Sequence, residues 1–69
     1  MDQHLKDLLM ALALAHGDIS PTINKKGVEN DWNDCYCLYP ELNLATLWFN
    51  DPSNSTIMVK IELEDGKWF

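Results

Sequence analysis

Two cysteines, two histidines and eleven carboxylates are the side chains of this 69-residue sequence with chemistry to offer. Cys35 and Cys37 are spaced C-x-C, and Cys35 with His16 and an aspartate would spell out nucleophile, base and orienting acid. Such a trio needs a frame, and the chain has no nucleophile elbow, glycine-rich loop or paired metal ligands to supply one. A chain of this length also has little room for a pocket of the usual several hundred Å³. Zinc needs four ligands, and only His4 and His16 are at hand to complete a set with the two thiols. On one helix they lie roughly 18 Å apart along its axis, too far to meet at one ion. The sequence therefore predicts no catalysis, no metal and no cofactor. On a strand, residues two apart share a side and are poorly directed to bridge each other. Cys35 and Cys37 read as reduced, half-buried thiols acting as small hydrophobes. The alternatives are an intermolecular disulfide or a metal shared across a dimer. His16 reads as the cationic residue that a helix C-terminus favours.

The carboxylates are unevenly placed. Up to residue 27, Asp2, Asp7 and Asp18 are balanced by Lys6, Lys25 and Lys26, so the whole net charge of −6 falls in residues 28–69. There is no arginine, hence no bidentate fork for phosphate. Direct nucleic-acid binding is not expected, and an anionic membrane surface would repel the chain. A basic protein is the natural complement. Small acidic inhibitors and DNA mimics are similar to this chain in size and charge, a likeness of composition alone. In such a protein carboxylates stand where phosphates would, and the candidates are Glu29, Asp31 and Asp34, with Glu62, Glu64 and Asp65. Trp32, set between acids, would be the anchor, because tryptophan is over-represented at binding hot spots. The simpler account is that the charge gives solubility and that Trp32 folds onto the core.

These residues need elements to position them. The helix is announced by LLMALALA at 8–15, with Leu5, Leu8, Leu9, Leu12 and Ala15 at the spacing of one buried face. Asp2 is a suitable N-cap and Gly17 a suitable stop. The apolar run resembles the core of a secretory signal, but MDQHLKD before it carries no net positive charge, and eight residues is short for that purpose. It is also too short to span a bilayer. The expectation is an intracellular, cytoplasmic chain in which the Asn54-Ser55-Thr56 sequon goes unused.

Beyond the helix the pattern changes to strands. Ile19 to Ile23 suits a short edge strand, since Pro21 excludes a central one. Cys35 to Tyr39 and Leu42 to Phe49 follow, separated by Pro40-Glu41. Pro40 could open a short helix instead, but Thr46, Trp48 and Phe49 favour extended chain. Thr56 to Leu63 alternates most cleanly, Ile57, Val59, Ile61 and Leu63 against Met58, Lys60 and Glu62. Asp65-Gly66 offers a tight turn back into Lys67-Trp68-Phe69. The prediction is a single α+β domain over 1–69, one N-terminal helix packed on a three- to four-stranded antiparallel β-meander. Its core should centre on Leu8, Leu12, Ile57, Val59 and Ile61.

One helix face against one sheet face does not use every apolar residue. Left over are Met10, Ala11 and Leu14 on the helix and one side of the 42–49 strand. A soluble monomer rarely exposes a contiguous apolar patch much above a few hundred Å². Met10, Ala11, Leu14, Leu47 and Phe49 are accordingly the expected interface of a homodimer, unless the 18–34 segment folds over them. The functional expectation is a small acidic protein-binding module, of the phage or mobile-element anti-defence or DNA-mimic type, that inhibits or regulates a larger basic or nucleic-acid-binding partner. A homo-oligomeric assembly subunit is the alternative.

Overall fold

A computed structural model describes Gln3–Phe69; the expected N-cap Asp2 lies outside the described residues. Helix α1 spans Gln3–Leu14. It closes with His16 N–H on the Ala13 carbonyl at 2.9 Å and Gly17 N–H on Leu14 at 3.0 Å. Gly17 has φ +107°, a backbone that glycine adopts without strain and that ends a helix. A Cβ there would also stand 3.0 Å from the Pro52 ring. The chain then forms β1 (Ser20–Pro21), a one-turn helix α2 (Trp32–Cys35) and β2 (Tyr36–Tyr39). After a 3-10 turn at Pro40–Leu42 come β3 (Leu44–Asn50), β4 (Thr56–Glu64) and β5 (Lys67–Trp68). One helix rests on a curled antiparallel sheet, so the α+β fold with a meander is the architecture found.

Strand β3 is the centre. β1 and β2 share one of its edges, at Asn50/Phe49 and at Leu47–Leu44, while β4 runs the full length of the other edge and β5 pairs with the end of β4. The β4–β5 hairpin turns on Asp65 and Gly66, both at positive φ, the backbone that an Asp-Gly hairpin turn requires.

The core follows from that centrality. Ala45, Leu47 and Phe49 of β3 are fully buried beneath Leu5, Leu9 and Ala13 of α1, with Ile61, Cys35 and Tyr36 around them. Three expectations are corrected here. The helix buries the row i, i+4, i+8 through Leu5, Leu9 and Ala13, so Leu8 is only half-buried and Leu12 and Ala15 are exposed. Ile57 and Val59 are half-buried because, among the described residues, the edge of β4 beside them carries no further strand. Leu47 and Phe49, expected at an interface, are core: the helix sits on their side of β3.

Local boundaries shift for physical reasons. Asp31 is extended and caps α2, accepting from Asn33 N–H at 3.4 Å, so Asp31 to Cys35 is a capped helical turn, and β2 starts at Tyr36 rather than Cys35. Pro40 does open a helical turn, its ring pre-setting φ. That turn ends on Asn43 at φ +50°, and β3 starts at Leu44 rather than Leu42.

Candidate functional site

The register assigns each strand residue to a face. Partners directly opposite share a side of the sheet and alternate residues take opposite sides. Away from α1, one row runs Tyr39, Leu44, Glu62 and the next Cys37, Thr46, Lys60; Trp48 faces Met58, and Asn50 lies between Ser20 and Thr56. Phe69 extends the first row, since it exchanges both backbone hydrogen bonds with Glu62, at 2.8 and 2.9 Å. Among the described residues no helix covers this outer face. Trp48 is 46% exposed, Tyr39 42%, Met58 40% and Phe69 69%, so these are contact-sized side chains left in water.

Polar groups frame the apolar ones. Lys60 Nζ lies 3.5 Å from Glu62 Oε1, with both side chains more than half exposed, a pair of little energetic weight. Glu64 continues the same face towards the hairpin. With Asp65, Lys67 and Phe69 it lines a shallow depression of about 430 Å³. Cys37 is half-buried beside Tyr39 and raises the phenol pKa, first by a hydrogen bond and then by the charge of its thiolate.

The six candidate carboxylates do not form one surface. Glu62, Glu64 and Asp65 belong to the β4–β5 side of the sheet. Glu29, Asp31 and Asp34 surround the start of α2, on the β1–β2 side of β3, where Glu29 bridges Ile23. Trp32 stands among them half-buried, packed against the core. Of the helix residues placed at an interface, Met10 also packs on the core, Ala11 is exposed, and Leu14 is 57% exposed.

The groups with chemistry to offer have structural partners. The His16 ring lies against Phe49, centroids 5.5 Å apart. Cys35 Sγ is 3.2 Å from Thr22 Oγ1, which also accepts from Asn30 Nδ2 at 3.1 Å. Both cysteines are free thiols. Among the described residues no three His, Cys, Asp or Glu side chains are grouped to hold a metal ion, and no helix is long and apolar enough to cross a membrane. No protein-family model, curated protein or solved structure matches the chain.

Sequence reasoning chose the wrong side of β3. Both sides of the strand are apolar, Ala45, Leu47 and Phe49 against Leu44 and Trp48. Thr46 gives no clear signal either: it lies on the side that the helix leaves open, yet it is 5% exposed, between Cys37 and Lys60.

Proposed function

We propose that this chain is a small acidic protein-binding module that regulates a larger basic partner, meeting it with the outer face of its sheet. The observation that carries the reading is the cross-strand pair Trp48 and Met58, in company with Tyr39 and Phe69, on a face that no helix of the described chain covers. Aromatic and methionine side chains are enriched where proteins meet, and a rigid strand presents them at low entropic cost. Glu62, Glu64 and Asp65, partly offset by Lys60 and Lys67, supply a charged rim on the same side. With a net charge of −6, the whole molecule favours approach of a basic surface and should raise the association rate.

The test is retention of proteins from the host lysate on immobilised wild type, on Trp48→Ala and on the pair Glu62→Lys with Glu64→Lys. The expected result is a basic protein whose retention by wild type weakens with salt. Its retention should fall about tenfold or more with Trp48→Ala, as for a hot-spot anchor. The lysine pair should act mainly on association rate. Identical retention by all three proteins, or no salt dependence, would contradict the proposal.

A further inference from the structure

Four of the five residues whose pattern marks them as core, Leu8, Leu12, Ile57 and Val59, are only partly covered, and all four lie on one side of the molecule. For the strand residues this is direct: they belong to β4, on the helix-facing side. For the helix residues it follows from rotation. Lys6 Nζ reaches Asn33 Oδ1 of α2 at 2.6 Å, and α2 leads into β2, on the far side of β3 from β4. At about 100° per residue, Lys6 and Met10 lie on that flank of α1, while Leu8 and Leu12 lie on the opposite flank, above β4.

Beneath that flank the sheet has an open edge. Leu63 N–H bonds the Asn43 carbonyl at 2.8 Å, so the odd-numbered residues of β4 direct their backbone groups at β3 and the even-numbered ones direct theirs outward. At Glu62 the outward groups are taken by Phe69. At Thr56, Met58 and Lys60 no backbone partner is found among the described residues. The free stretch has Met58 at its centre.

We propose that the occupant of this edge is a second copy of the chain, paired β4 to β4 in antiparallel fashion about a two-fold axis through Met58. The pairing is self-complementary at every row. On the outer face it joins Trp48 and Met58 to the partner's Met58 and the partner's Trp48, apolar throughout. One row away, Lys60 meets the partner's Thr56, so no like charges face each other. On the helix side Ile57 meets the partner's Val59, which completes the burial that each lacks alone. α1 lies over β3 and β4, and strands are about 4.8 Å apart. The two helices therefore come within about 10 Å across the seam, the distance at which helices pack, with their Leu8 and Leu12 flanks turned to each other. Oligomerisation is a common supplement for a domain too small to finish its own core.

This assembly leaves the outer face of each copy open, so its failure and that of the proposed partner binding are separable: Leu12→Glu alters α1 and not the outer face, so retention of a basic protein by that variant speaks only to the latter. The test is sedimentation at low micromolar concentration together with amide exchange. Wild type should sediment at twice 7.9 kDa, with Met58 and Lys60 amides protected. Met58→Pro removes an N–H that points out of the sheet, a position where an edge strand tolerates proline. Leu12→Glu alters a side chain that is 44% exposed. Each should weaken the dimer about tenfold or more while keeping native circular dichroism; if the proline unfolds the chain, the glutamate variant and the wild-type exchange pattern decide. A wild-type monomer with Met58 and Lys60 amides exchanging freely, or a dimer unaffected by Leu12→Glu, would overturn the proposal.

Discussion

Asn50 ties three strands together with one amide. Its Nδ2 donates to the Pro21 carbonyl of β1 at 3.1 Å and its Oδ1 accepts from Thr56 Oγ1 of β4 at 3.0 Å, and the residue is 4% exposed. Asn50→Ala should cost about 1–3 kcal/mol in denaturant unfolding, since it removes both bonds of a buried amide and leaves the part-buried Pro21 carbonyl and Thr56 hydroxyl without it; a change within ±0.5 kcal/mol would show that water replaces the amide. Asp31 is exposed and caps α2. Charge reversal there should lose about 1 kcal/mol of stability with the cap, seen as an earlier unfolding midpoint than for Glu29→Lys, which makes no such bond. Asp51 gives a pH prediction. The Ser53 hydroxyl donates to its Oδ1 at 2.7 Å and Ser55 N–H at 2.8 Å, and these hold its carboxyl below the ordinary value of 3.8. A depressed folded pKa stabilises the fold above the unfolded pKa, and that stabilisation is lost as pH falls through the folded one. An NMR titration should place the Asp51 midpoint below 3.8, and Asp51→Asn should flatten the acid limb of the stability curve. A midpoint at or above the ordinary value would refute this.

The elements were legible in the sequence where two signals agreed. The helix combined apolar periodicity with a glycine stop. β4 combined strict alternation with turn residues at both ends, and Asp65-Gly66 specified its hairpin. The path failed where one residue carried two meanings. Pro40 serves equally as a strand break and as the first residue of a helical turn, and only the fold chooses. Burial was harder still, because alternation states which residues share a side and not whether that side is covered. Thr56 to Leu63 shows the cleanest pattern, yet the most deeply buried strand is β3, whose two sides look alike in sequence. The site was misjudged for the same reason: without knowing which side of β3 the helix takes, Leu47 and Phe49 are indistinguishable from Leu44 and Trp48. Paired truncations in α1 test the corrected packing. Leu9→Ala should cost about 2–5 kcal/mol. Leu12→Ala, studied by denaturation of the monomeric Met58→Pro chain, should cost much less. Equal losses would mean that the helix is rotated from the orientation described.

At the scale of the whole molecule, one short helix can cover one face of the sheet and one side of its edge. A fold of this size leaves about 40% of its unfolded surface in water, and here the uncovered part holds tryptophan, methionine, tyrosine and phenylalanine rather than charge alone. That distribution is what the proposed binding surface rests on, and under that proposal the net charge of −6 would favour partners of opposite sign. The most direct measurement is the dissociation constant of the retained basic partner for wild type and for Trp48→Ala, taken side by side at one salt concentration with circular dichroism as a control. A rise of about tenfold or more with the fold intact, equivalent to at least about 1.4 kcal/mol, is the predicted result. Equal dissociation constants for the two proteins would contradict a binding role for that face.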